Sequence, residues 1–577
     1  MNAIRRIFSI YVVISAAGCN LVPGKLGQID LPYDDTAPTL RQQSLDDALI
    51  AEPTTIDQGL ENIRQRIPVS KSEPPLIIQA VEQDIVPLSI EDLRLMVLHN
   101  NLDLQVSLLD PEIARAQVSA EEGAFDALIG GRFAYRHRST PPIDGPLVDF
   151  TSANPVLNRQ IVKLTEIEQR RELIDMDFGL EIPLPTGGTI SVGGLLSQKD
   201  IKDPQRFDQV LAATRFSFSQ PLLRNAGTDA SFASIRIARV EHRVSQVRTN
   251  LAALRVLAGA EKAYWRLYAA RRFLEVRADQ YRIASENLEM VERRVEQGMS
   301  PRVEITRSEL GVYERLEALI NAETAWQLGQ RDLKVHLNSD HLPLRGKPMI
   351  EATAEPRLAG LDLDTEALVQ RALKDRLELI ELELQIIQDG IEIDFRENQI
   401  LPIANLDFRY GTLERGNTFG SAWESLGDFN NPDLSAGITL EMPLTNQRRR
   451  AQLHEAMLMR TQRLASRQAR ELMVRREVLD TIDVIERNWQ RVLAASQNVI
   501  VAGVNYDAER RQFEQGMRTM REVLEALTEL GQAQIREITA IVDYQVAQID
   551  LAFASGMLLG YARVDFEPLV LPSPAIR

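Results

Sequence analysis

The sequence predicts a mixed α/β fold dominated by long helical hairpins, with short strands set between them and the whole plan built twice. Three observations carry this. The tetrapeptide Glu296-Gln297-Gly298-Met299 recurs as Glu514-Gln515-Gly516-Met517, and Leu93, Leu98, Leu102, Leu104, Leu109, Glu122, Phe133 and Tyr135 recur at one constant spacing as Leu368, Leu373, Leu377, Leu379, Leu384, Glu397, Phe408 and Tyr410. Residues 229–296 contain no proline, so one helix of about 100 Å can form there at 1.5 Å per residue. Each half reads helix, strand, strand, long helix, turn, long helix, and the first half carries about fifty extra residues near 139–200.

Taken in order, residues 1–18 have the parts of an export signal: Arg5 and Arg6, an apolar run over 7–17, then small residues before Cys19, the only cysteine of the chain. Ala16-Ala17-Gly18-Cys19 resembles the bacterial lipobox, which implies an acylated cysteine, and Asn20 in place of Asp implies an outer-membrane address. Residues 19–87 are rich in proline, Asp and Gln and are expected to be a tether with one short helix near 56–67. The first repeat is expected over 88–345, the second over 346–560 and a tail over 561–577.

A helix opens after Ser89, a suitable N-cap before Glu91 and Asp92, and is expected to break at Pro111 on its way to Glu122. From Ala124 the period becomes alternating, as around Phe133 and Tyr135. Further strand-like runs are 176–182, 189–196 after Pro185-Thr186-Gly187-Gly188, 215–220, 403–410 and 436–442. Four of these are repeat-equivalent, and the hairpin around Gly187 belongs to the insertion, as further wall strands or as an external loop. A soluble sandwich would show the same alternation. No run of 18 apolar residues follows the N-terminus, so any crossing of a membrane must use strands. Four strands cannot close a barrel, and lipid does not tolerate open edges, so such a wall would need several copies.

The long helices are expected at 229–296, 302–338, 448–514 and 518–555. Tyr281, Ala284, Leu288, Val291 and Val295 form a heptad seam, and Ala252, Ala253, Ala258, Ala260 and Ala263 suit close helix packing.

The net charge of −16 speaks against nucleic acid, which needs a concentrated basic surface. There is no phosphate loop, no Gly-x-Ser-x-Gly elbow and no Cys-x-x-Cys, and His99, His137, His242, His336, His341 and His454 are scattered, so neither an enzyme nor a metal or other cofactor is expected.

Over residues 88–560 the chain resembles the TolC-like outer membrane efflux proteins. The most specific stretches are 218–227 (Phe-Ser-Gln-Pro-Leu-Leu-Arg-Asn-Ala-Gly), similar to that family's strand-to-helix junction, and 513–525 (Phe-Glu-Gln-Gly-Met-Arg-Thr-Met-Arg-Glu-Val-Leu-Glu), similar to its inner helical tip. The resemblance implies long helical hairpins forming a periplasmic helical barrel, and strands contributed to a trimeric transmembrane β-barrel. It also implies a passive duct of a tripartite efflux or secretion system, supplied by an inner-membrane transporter through a periplasmic adaptor. Gly298 and Gly516 would mark the tip turns where the adaptor meets the tube. Glu304, Glu522 and Glu525 match acidic positions of the family's inner mouth, with Glu where its best-known member has Asp. Arg518 matches a position that holds the mouth closed, and Phe513 stands where a Tyr is usual. The alternative is a lipid-anchored periplasmic coiled-coil scaffold without a pore.

Overall fold

The computed structural model describes residues 85–140, 169–201, 209–416, 418–425 and 431–558. Cys19, the expected signal segment, the tether up to residue 84 and the tail lie outside them. The first run of elements is β1 (Ile85–Leu88), α1 (Ile90–Asn100), α2 (Leu102–Glu122), β2 (Leu128–Thr140), β3 (Gln169–Pro183), β4 (Thr189–Ile201), β5 (Gln209–Pro221), α3 (Thr228–Ser231), α4 (Ala233–Glu296) and α5 (Val303–Leu337). The second is β6 (Met349–Ala352), α6 (Thr365–Asp375), α7 (Leu377–Ile400), β7 (Ile403–Gly416), α8 (Phe419–Ser425), β8 (Pro432–Glu441), α9 (Gln447–Glu514) and α10 (Met520–Ala554). The same order thus occurs twice, with β3, β4 and α3 added in the first run and α8 in the second. β1, which falls at the end of the expected tether, pairs in parallel with its counterpart β6.

Helices α4 and α9 contain 64 and 68 residues, so each is about 100 Å long. Four helices form a row in which α4 packs between α2 and α7, and α7 packs on α9. The 35-residue helices α5 and α10 fold back along α4 and α9. Small side chains permit this close packing: Ala253, Ala258, Ala260 and Ala263 are all buried, as are Tyr281, Ala284 and Val291 of the expected seam. No helix is long and apolar enough to cross a membrane among the described residues.

Ser89 caps α1, its hydroxyl oxygen accepting from the Asp92 N–H at 3.1 Å. The expected break at Pro111 is not there. The helix breaks at Asn101, whose side-chain oxygen accepts from the Leu104 N–H and caps α2, while Pro111 sits inside α2. Proline leaves the carbonyl four residues earlier without its helical donor. Here that carbonyl, on Ser107, accepts instead from the Thr249 hydroxyl of α4 at 2.7 Å, so a tertiary contact absorbs the defect.

The remaining six strands form one antiparallel sheet in the order β2-β3-β4-β5-β7-β8. The four repeat-equivalent strands are joined by the hairpin of the insertion: β3 and β4 are members of the sheet, inserted between β2 and β5. Their turn lies at the helix-bearing end, where the Gly227 N–H donates to the Thr186 carbonyl and the Thr186 hydroxyl donates to Gln220. The junction at residues 218–227 also joins the halves, because Asn225 takes a left-handed backbone, donates its N–H to Asn398 and accepts from Gln399.

Candidate functional site

Two regions are candidates for function: the sheet and the paired turns at the far end of the long helices. In the sheet, side chains alternate between faces, and the pairing register decides which residues share one. Phe133, Phe178, Val192, Phe216, Tyr410 and Leu434 lie on one face. That face is mainly apolar; its polar members on β5 and β7 include Thr214 and Thr412, which bond to each other, and Glu414, which accepts from Asn431. It is also open: Ile129 is 88% exposed, Phe133 58%, Phe178 50% and Leu440 73%. So large an exposed apolar surface needs an apolar neighbour.

The opposite face is polar, and side-chain hydrogen bonds cross every seam on it. Arg136 donates to Asp175 at 2.8 Å (β2 to β3), Ser197 to the same Asp175 at 2.6 Å (β4 to β3), and Ser191 pairs with Ser217 at 2.5 Å (β4 to β5). Ser219 donates to Asp407 at 2.8 Å (β5 to β7), and Thr439 reaches Asp407 at 3.4 Å (β8 to β7). Among the described residues, both outer edges, on β2 and β8, lack a partner strand within the chain.

At the helical end, Gly298 and Gly516 occupy the left-handed region with φ of 72° and 78°. Each closes its helix in a Schellman motif. The Gly298 N–H donates to the Val295 carbonyl and the Met299 N–H to that of Arg294; the Gly516 and Met517 N–H groups donate to Phe513 and Gln512 in the same pattern. The repeated tetrapeptide is thus a repeated turn.

The restart after the turn differs between copies. Glu522 accepts from the Thr519 N–H at 2.8 Å and from Arg518 Nη1 at 2.7 Å, forming a capping box for α10. The Thr519 N–H, then Arg518, hold the Glu522 carboxyl below the usual carboxylate range, and the Glu522 hydrogen bond holds Arg518 up. Arg518 also donates to Gln512 and lies 3.5 Å from Glu509, so its contacts are with its own hairpin. In the first copy α5 has no side-chain cap; Glu304 is buried and accepts from Arg307 at 2.8 Å. Glu525 stays open to solvent, 3.5 Å from Arg521. The structure therefore brings Arg518 and Glu522 together and leaves Glu304 engaged in its own helix.

Phe513 is buried between the hairpins, beneath the Arg294 guanidinium, which stands 4.8 Å from its ring centre and donates to its carbonyl at 3.0 Å. Around it pack Val291, Tyr506, Met520, Val523 and Leu527. Arg315 makes a second clamp, donating to the Leu524 carbonyl at 3.0 Å and the Thr528 hydroxyl at 2.8 Å, with desolvation pulling its pKa down. Gln280 reaches the Leu527 carbonyl, occupying the place where a Cβ on Gly531 would stand. Arg294, Arg315, Gln280 and Gly531 were not legible as site residues, since their partners lie on the other repeat. Among the described residues no group of three or more His, Cys, Asp or Glu side chains could hold a metal ion.

Residues 368–557 match the family model described as outer membrane efflux protein. No curated protein matches the chain. Among solved structures it is similar to CusC, studied for folding and transmembrane channel formation (14% identity, TM-score 0.59, covering 81% of this chain and 92% of that one). It is likewise similar to the outer membrane protein VceC of Vibrio cholerae (14%, 0.56, 81% and 96%) and to the outer membrane channel CmeC of Campylobacter jejuni (13%, 0.59, 81% and 86%). The chain has the fold of these outer membrane channels, and its second repeat carries the match to the outer membrane efflux protein family.

Proposed function

We propose that the chain is the outer-membrane component of a tripartite efflux or secretion system, a passive trimeric duct from periplasm to exterior. The observation that carries this is the two-faced sheet: apolar and exposed on one side, polar and hydrogen-bonded on the other, with two open edges. Lipid covers the first face, water fills the space behind the second, and copies of the chain close the edges. Four long helices per chain continue that wall into the periplasm. A wall of helices and strands has no energy source, so transport is driven by an inner-membrane transporter reached through a periplasmic adaptor. Acylation of Cys19 would add a lipid anchor.

The two Gly-centred turns would form the inner mouth and the adaptor contact. Glu525, the least engaged acid there, and Glu522 would give the mouth its cation preference, and Glu304 would act through Arg307 beside it. The closed state would draw on the Arg518 cluster and on Phe513 beneath Arg294. Replacing Glu522 and Glu525 together with Gln is expected to lower cation selectivity; an unchanged preference would place the selective ring elsewhere. For the reading as a whole, membrane fractionation with chemical cross-linking is expected to give an integral outer-membrane trimer. A monomer released by alkaline washing would refute it, and a lipid-anchored trimer that detergent-free protease strips of its strands would favour a scaffold without a pore.

A further inference from the structure

We infer that the β3–β4 hairpin widens the barrel, so that three copies with six strands each close an eighteen-stranded wall. This rests on the trimeric barrel proposed above, but the hairpin's place in the wall has independent support.

First, the hairpin obeys the same two-faced rule as the other strands. Phe178 and Val192 join the apolar face, about half exposed, while Asp175 and Ser197 join the polar face and bond to each other across the β3–β4 seam. A hairpin lying outside the wall would have no reason to keep this phase with β2 and β5. Second, both strands are long enough. β3 has 15 residues and β4 has 13, and a tilted strand needs about 9–11 to cross the hydrocarbon.

Third, a line of glycines crosses the sheet and passes through the hairpin. Gly130 pairs with Gly179, Gly179 with Gly193, Gly193 with Arg215, and Arg215 with Gly411, all on the polar face. A Cβ at Gly193 would stand 2.6 Å from the Phe178 carbonyl oxygen, and one at Gly411 would collide with that of Thr214. Glycine at such close approaches lets a sheet curl toward its inner side. The close approach at Gly411 of β7 is therefore matched inside the hairpin at Gly193 of β4.

Fourth, the order agrees. The helices that enter or leave the sheet, α2, α4, α7 and α9, pack in a row whose order matches their strands β2, β5, β7 and β8, so the hairpin lies inside the wall segment that one chain contributes. Strands about 4.8 Å apart and tilted near 40° each occupy about 6 Å of circumference, so six strands span nearly 40 Å and four only about 25 Å. Since barrel diameter grows roughly linearly with strand number, eighteen strands enclose about twice the cross-section of twelve.

The test uses nitroxide labels on the full chain in liposomes, at Ile438→Cys on β8, Phe178→Cys and Asp177→Cys, with the unsubstituted protein as the blank for Cys19. Preferential collision with oxygen at 438 and 178, and with a water-soluble nickel chelate at 177, is expected. Lipid contact at 438 with chelate contact at 178 would put the hairpin outside the wall, overturning this inference and sparing the duct. Chelate contact at 438 would overturn both. Electron microscopy of the unsubstituted particle separates the two arrangements without a substitution: eighteen wall strands support the inference, and twelve refute it.

Discussion

Phe216 lies in the middle of β5 on the apolar face, with its ring 6.4 Å from that of Phe408 in an edge-to-face arrangement. Ala213, three residues away on the same strand, lies on the polar face beside an open hollow lined by Gly193, Asp177 and Arg215. Replacing Phe216 with Arg puts a guanidinium into lipid near mid-depth, which costs about 2–4 kcal/mol in membrane barrels. Loss of the aromatic pair adds about 0.5–1.5 kcal/mol. The expected destabilisation is about 3–5 kcal/mol. Ala213→Arg places the same group in wet space with an acid nearby, and its expected effect stays within about 1 kcal/mol, as for lumen or surface changes generally. Folding into liposomes across a urea series, followed by the gel shift of the folded barrel, reads both variants. Equal midpoints for the two arginines would refute the assignment of faces, because only one face is held to meet lipid.

Gly516→Ala is expected to cost about 1–2 kcal/mol from the left-handed backbone alone, since no atom stands near the added methyl group, and faster hydrogen exchange in the last turn of α9 would report it. Arg376 is buried with Glu378 and Glu477 as ion partners and donates to the Ala554 carbonyl; Arg376→Ala leaves both acids to Arg470 alone and the Ala554 carbonyl without this donor, and is expected to cost about 1–3 kcal/mol in thermal unfolding. Burial pushes the Glu378 carboxyl up, but Arg376 outweighs it and holds that group below its ordinary value, so the same variant should raise the Glu378 pKa. Glu522 has a depressed folded pKa, so its capping contribution is complete above the unfolded value near 4.5 and is lost as pH falls through the lower folded value. Protection at the start of α10, measured relative to the intrinsic exchange rate at each pH, should therefore fall in acid, and Glu522→Gln should abolish that fall.

The helical part was largely legible because its signals are local. A proline-free stretch, a small-residue seam and a Gly at each C-terminus suffice to place α4, α9 and both turns. The break near Pro111 was misplaced because the cost of a proline depends on whether another element can satisfy the freed carbonyl, and Thr249 lies far away in sequence. The hairpin was ambiguous for a related reason. Gly179, Gly193 and Gly194 weaken the local strand signal, yet their partners give them a purpose: the Phe178 ring lies 2.5 Å from where a Gly194 Cβ would stand. Alternation of polar and apolar residues was visible in each strand, but only the register shows that six strands share one apolar face. At the tip, Phe513, Arg518 and the three glutamates could be named from the resemblance. The clamps of Arg294 and Arg315 could not, since each joins one repeat to the other.

Single-channel conductance of the reconstituted full-length protein tests the central claim most directly. Discrete, stable conductance steps with a preference for cations, reduced when Glu522 and Glu525 are both replaced with Gln, are predicted. A protein that inserts its sheet yet passes no current under any voltage, or that leaves the bilayer silent because it never inserts, would contradict the account.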